Sequence, residues 1–163
     1  MPTPIPPKPG QESVWDYPRP PLLEPVSKHL RILHEGVVLA DTNQGYRVLE
    51  TSHPPVYYFP QGAVRMDLLR ERVTNPSHCE WKGDAHYWDL HHGSARLPMI
   101  AWSYPDPTPA FTAIKDYLAF YAAPFECYVA DERVVPQPGK FYGGWITSDI
   151  VGPFKGAPGS WGW

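Results

Sequence analysis

Apolar and polar positions alternate over short stretches along most of the chain, and proline or glycine closes each stretch. Leu30 and Ile32 share a face, Glu35-Gly36 marks a turn, and Val37-Val38-Leu39-Ala40 runs back. Asn43-Gln44-Gly45 then turns into Tyr46 to Thr51. This spacing predicts a three-stranded meander over 29–51. In its third strand Tyr46, Val48 and Glu50 fall on one face and Arg47, Leu49 and Thr51 on the other. The Glu50 carboxylate thus sits on an otherwise apolar face and needs a partner or a water-filled cleft. Val56 to Phe59, Cys79 to Trp88 and Met99 to Tyr104 read as further strands, and Glu126 to Val129 pairs with Val134-Val135 across Asp131-Glu132 as a hairpin. Two stretches have helical spacing instead. Val64/Leu68 and Met66/Leu69 predict a short helix near 64–71. Thr108-Pro109, a cap followed by proline, opens the stripe Phe111, Ile114, Tyr117, Leu118, Tyr121 and predicts a second near 109–117. Thr147 to Val151 reads as one helical turn.

The 22 prolines among 163 residues break these segments apart, which favours a single mainly β domain. A chain of this length buries about 70% of its unfolded surface and needs no metal or disulfide merely to fold. Residues 1–12 are proline-rich and predict an extended, disordered tail; the domain occupies 13–163. Trp15 to Pro21 reads as a strap along its surface. A formal charge of −3 and scattered Lys and Arg residues exclude a basic field for nucleic acid. No apolar run reaches the roughly 20 residues that span a bilayer. The chain is expected to be soluble and cytoplasmic, with no nucleic-acid or membrane partner; a homodimer is compatible with it. Its two cysteines, Cys79 and Cys127, form no Cys-x-x-Cys pair, so a four-thiolate zinc site cannot be built within one chain. No cofactor or structural zinc is expected. Cys127, in Glu-Cys-Tyr-Val, reads as a core residue.

The densest chemistry lies between His78 and Trp88, where a thiol, carboxylates, an ammonium, imidazoles and tryptophans surround Gly83. If the stretch is extended, Cys79, Trp81 and Gly83 take one face, and Glu80, Lys82 and Asp84 the other. Cys79 is the candidate nucleophile, but only the fold can bring it a base such as His53 or His86. A metal set of His86, His91 and His92 with Asp84 or Asp89 is the alternative use of the histidines. Trp81, Trp88, Trp102 and Trp145 read either as core or as aromatic walls of a ligand cleft. Arg47, Glu50, Ser52 and Lys82 would then orient the ligand. In the sharpest form, Glu50, Ser52, Cys79, Trp81, Lys82, Trp102 and Trp145 converge on one cleft. The bland form is a Glu50–Lys82 ion pair that closes two sheets. No phosphate loop, dinucleotide fingerprint or metal-holding Asp-x-Asp is present.

Several motifs carry a family resemblance: Trp15-Asp16-Tyr17-Pro18-Arg19-Pro20-Pro21, Glu50-Thr51-Ser52-His53-Pro54-Pro55, and Cys79-Glu80-Trp81-Lys82-Gly83-x-Ala85-x-Tyr87-Trp88. Further along stand Ala101-Trp102-x-Tyr104-Pro105-x-Pro107, Ala119-Phe120-Tyr121, Gly143-Gly144-Trp145-Ile146-Thr147 and Gly152-Pro153-Phe154-Lys155-Gly156. Over about residues 13–163 the chain resembles the DUF427 family of domains of unknown function, some of which carry a nucleotidyltransferase label that the missing motifs do not support. The resemblance implies a β-tent, two antiparallel sheets meeting at an angle. Relatives of that fold, such as methionine sulfoxide reductase B and the thalidomide-binding domain of cereblon, hold zinc with paired Cys-x-x-Cys motifs that this chain lacks. Family members often have Asp-Gly-Glu where this chain has Ala130-Asp131-Glu132-Arg133, so a longer turn is expected here. The expected function is binding of a small polar or heterocyclic ligand in an aromatic cleft. The alternatives are an enzyme using Cys79 and a structural or interaction module.

Overall fold

The alternating segments pair mainly as antiparallel ladders. The computed structural model describes residues 1–72 and 77–163. One sheet runs in the order β11 (Leu118–Phe120), β10 (Ala95–Ser103), β9 (Gly83–His92), β7 (Leu69–Glu71), and β8 (Ser77–Cys79) also pairs with β9. A second runs β13 (Glu132–Arg133), β12 (Glu126–Val129), β3 (Leu30–His34), β4 (Val37–Thr42). A third runs β2 (Leu22–Val26), β5 (Gly45–Leu49), β6 (Val56–Tyr58). Phe59 joins it to the first sheet by reciprocal backbone bonds to Leu118 of 2.8 and 2.9 Å. The small ladders are β1 (Glu12–Ser13) with β16 (Ile150–Val151), which is parallel, and β14 (Val135–Pro136) with β15 (Trp145–Ile146).

The domain is mainly β, and its sheets are consistent with a β-tent. Leu30, Ile32 and Leu39 from the second sheet meet Leu90, Ile100, Leu118 and Phe120 from the first, all nearly inaccessible. Each such aliphatic side chain contributes about 1.5–3 kcal/mol by leaving water. Among the described residues no helix is long and apolar enough to cross a membrane.

The two expected helices are absent. At 64–71, Val64 bridges Ala40, Arg65 N donates to Leu39 O, a 3-10 turn covers Met66–Leu68, and Leu69 pairs with Leu90. An isolated helix of eight residues is marginal, and two sheets with bonds to offer capture the segment instead. At 109–117 a 3-10 turn, Pro109–Ile114, is interrupted at Phe111 (φ −116°), and the chain is extended again by Leu118. Phe111, Ile114 and Leu118 are all buried, so the stripe marked the inward residues although the geometry is not helical. Residues 147–151 form a single turn, closed by Ile150 N on Thr147 O, that runs into β16.

The meander is also divided. β3 and β4 pair as expected, but the chain crosses over between Thr42 and Gly45, and β5 pairs with β2 and β6. The β12–β13 hairpin closes with only Ala130 and Asp131 between paired residues, at φ 47° and 68°. Positive φ at both central residues marks the tight turn that the missing glycine argued against. The proline-rich start is extended and mostly exposed, and Ile5 N bonds to Gly152 O at 2.9 Å.

Candidate functional site

A cavity of about 390 Å³ opens between the first and third sheets. Strands β9 and β10 supply Tyr87 and Trp102, which stand opposite each other in register, and Tyr104 follows directly after β10. The third sheet supplies Val48 and Tyr58, and its β5–β6 connection supplies Glu50 and His53. The β8–β9 connection adds Cys79, Trp81 and Lys82, and the C-terminal loops add Tyr142 and Lys155.

The β8–β9 turn explains why Trp81 and Lys82 line the same space. Cys79 pairs directly with Gly83, so Glu80 to Lys82 form a turn in which strand alternation ends. Thr108 pins that turn: its Oγ1 donates to Trp81 O at 2.5 Å and its N to Lys82 O at 3.1 Å. Gly83 has φ +107°, and a Cβ there would lie 3.0 Å from Asp106 O. On the opposite rim, a Cβ on Gly143 would lie 2.2 Å from Trp102 Cη2, so the loop can pass over the indole only as glycine. Trp102 is thereby held between Gly143 and Tyr121, whose ring centroid is 4.9 Å away.

The polar groups are ordered by one amide. Gln137 Oε1 accepts from Gly144 N at 2.9 Å and its Nε2 donates to Lys155 O at 2.8 Å. That orientation directs Nε2–H onto His53 Nδ1, 3.1 Å away, so the imidazole carries its proton on Nε2. Nε2 lies 3.6 Å from Glu50, which also faces Arg19 at 3.5 Å. Burial, then the nearby charges of Lys155, Arg19 and Lys82, depress the His53 pKa to about 3. The Glu50 carboxylate acts in the opposite direction, but it is shared with Arg19 and does not offset desolvation plus three cations. His53 is therefore neutral. Burial raises the Tyr58 and Tyr104 phenols above their ordinary range, leaving both protonated.

Lys82 Nζ lies over the Tyr104 ring at 5.9 Å, and Lys155 Nζ over Tyr142 at 5.5 Å, where it also reaches Trp163 O at 3.4 Å. Among the described residues the Lys82 ammonium has no carboxylate at salt-bridge distance. The expected Glu50–Lys82 pair is not formed, because Arg19 and His53 hold Glu50.

Of the seven residues expected on one cleft, Glu50, Cys79, Trp81, Lys82 and Trp102 line this cavity. Trp145 does not: it is 1% exposed, packs on Tyr57 and Phe59, and donates from Nε1 to Phe120 O at 2.9 Å. Ser52 does not either. It is fully buried at φ +73°, its Oγ has no hydrogen-bond partner among the described residues, and its backbone joins Val14 O and Lys155 N. Arg47 is engaged by Glu24 at 2.5 Å and Glu12 at 2.6 Å, away from the cavity. Trp88 packs against the main core and donates to Ser103 Oγ at 3.0 Å. Cys79 Sγ has no hydrogen-bonded base among the described residues, and Cys127 is core, its thiol pushed up to about 12 by burial. The histidine set expected around His86 is dispersed: His86 faces Glu71, Asp84 faces His78, and Asp89 accepts from Arg72 and Met99 N. Gln137, Tyr142 and Lys155 were not selected from sequence. Gly143-Gly144, between Phe141-Tyr142 and Trp145, was the available signal, since adjacent glycines mark close backbone approach.

Fold and cavity together define a mainly β domain with an aromatic, cation-bearing pocket. The family model for the domain of unknown function DUF427 matches residues 22–131. The chain belongs to that family. No curated protein matches it.

Proposed function

We propose that this protein is a soluble, cytoplasmic binding domain for a small, flat, anionic heterocycle. The carrying observation is the pairing of aromatic walls with the Lys82 ammonium, which has no carboxylate partner among the described residues. Trp81 and Trp102 wall the space for a planar ring, Lys82 attracts an acidic substituent, and Glu50 accepts from a ring N–H. The His53 imidazole, held neutral, donates from Nε2 without adding charge. The cavity volume lies in the range of small-ligand sites, and two unpaired thiols suit a reducing compartment.

A thermal-shift screen with nucleosides, nucleotides and heterocyclic carboxylates tests this. A ligand at 100 times its dissociation constant adds about 2.7 kcal/mol, roughly 5–10 °C for a domain of this size. Trp102→Ala and Lys82→Met are expected to abolish the shift, and Cys79→Ser to leave it intact. A shift that survives both substitutions, or none across the panel, rejects the reading. Loss of turnover in Cys79→Ser with binding retained would instead favour a thiol enzyme.

A further inference from the structure

A separate cluster lies where two hairpin ends meet, outside the cavity. His34 ends β3, Glu35 opens the tight turn to β4, and His92 ends β9 just before Gly93. Fifty-eight residues separate the histidines, yet their Nδ1 atoms are 2.8 Å apart. His34 is only 9% exposed, and Phe125 meets its ring edge-on at 5.7 Å, which fixes the imidazole. One ligand atom from each of His34, Glu35 and His92 lies within 4.8 Å of the other two. None of the three lines the cavity.

We infer that His34, His92 and Glu35 form a binding site for a divalent first-row transition ion, with Zn²⁺ the best match. Two imidazoles and a carboxylate suit zinc, nickel or copper, whereas calcium and magnesium prefer oxygen alone. Tetrahedral ligands on Zn–N bonds of about 2.0–2.1 Å stand roughly 3.3 Å apart, so the nitrogens need separate by only about half an ångström. Without an ion, two facing Nδ1 atoms at this distance must share one proton; with an ion, both lone pairs point at it. Glu35, on the exposed turn, supplies the third ligand and part of the compensating charge. Three protein ligands leave the remaining positions to water, as in an open site. The ion would join the second sheet to the first at their hairpin ends, a contact in which no cysteine takes part.

The test is calorimetric titration of the metal-stripped full chain with ZnCl₂, alongside cobalt(II) absorption. One ion per chain is expected, together with a cobalt spectrum of mixed nitrogen and oxygen ligation. His92→Gln and His34→Gln should weaken binding at least about tenfold. Glu35→Gln, on an exposed turn that does not threaten folding, should weaken it severalfold. His91→Gln, whose side chain leaves β9 on the opposite face, should change nothing. The absence of saturable binding overturns the inference, and so does affinity that is unchanged in both Glu35→Gln and His92→Gln or lost in His91→Gln. Trp102→Ala should leave zinc binding intact, which separates failure of this site from failure of the ligand cavity.

Discussion

Replacing His53 by Asn should remove a pH dependence from folding. In the native protein burial, aided by three cations, holds the His53 pKa near 3, against an ordinary value of 6.5. The unfolded chain therefore takes up the proton more readily. Stability from this residue is fully present above pH 6.5 and declines as pH falls toward 3. Between pH 7 and pH 5 the linkage amounts to about 2 kcal/mol. Asn can place an acceptor where Nδ1 now meets Gln137 Nε2, so the amide keeps its orientation. It loses the ring contact with Tyr142, whose centroid is 4.7 Å away, which lowers stability at every pH by about 1 kcal/mol. Urea denaturation of both proteins at pH 7 and pH 5 measures the difference. The depressed carboxyls of Glu12 and Asp149 titrate below this window. The wild-type advantage should shrink by about 2 kcal/mol on acidification, near 1 M in urea midpoint. A constant gap would show that His53 is not held neutral.

Gly143→Ala should push the Trp102 indole from its seat, since the new Cβ would lie 2.2 Å from Cη2. A cost of about 1–3 kcal/mol and altered tryptophan fluorescence are expected; an unchanged spectrum and melting temperature would show a looser loop. Ala130→Asn should stabilise the β12–β13 hairpin by about 1 kcal/mol, because Asn tolerates the φ of 47° better than Ala. Differential scanning calorimetry would register this as a rise of roughly 3 °C, and a fall would place the turn in another conformation.

Local rules reached far where neighbours in sequence are neighbours in space. β3, β4, β12 and the second half of β10 follow from alternation, and the dense stretch around Gly83 does face a cavity, though Glu80 to Lys82 form a turn where a strand was expected. What was illegible depends on long-range pairing. Val64/Leu68 and Met66/Leu69 sit at helical spacing, but Ala40 and Leu90 offered Val64 and Leu69 partners that no local window contains. Trp102 and Trp145 stand beside similar residues, and only the packing sends one to the cavity and the other under Phe120 O. The His34–His92 contact spans two sheets, so the neighbouring pair His91-His92 gave no sign that only His92 turns toward it.

The charge of the cavity follows from the strap at the start of the domain. Glu50 would be the natural counter-ion for Lys82, and a carboxylate so placed would cancel the attraction for an acidic ligand. Arg19 prevents this. Its Nη2 donates to Thr51 O at 2.9 Å and lies 3.5 Å from Glu50, while Trp15 of the same segment anchors through Nε1 to Pro153 O at 2.9 Å. Val14 O accepts from Ser52 N at 3.0 Å, and Ser52 O accepts from Lys155 N at 2.9 Å, so one junction sets both Glu50 and Lys155. Ser52 holds this junction at a positive φ with a buried hydroxyl that has no partner among the described residues, two costs of about 1–3 kcal/mol each. The surrounding packing sustains both. The segments that meet at Ser52 thereby hold Glu50 away from Lys82, whose ammonium lines the aromatic cavity with no carboxylate partner among the described residues.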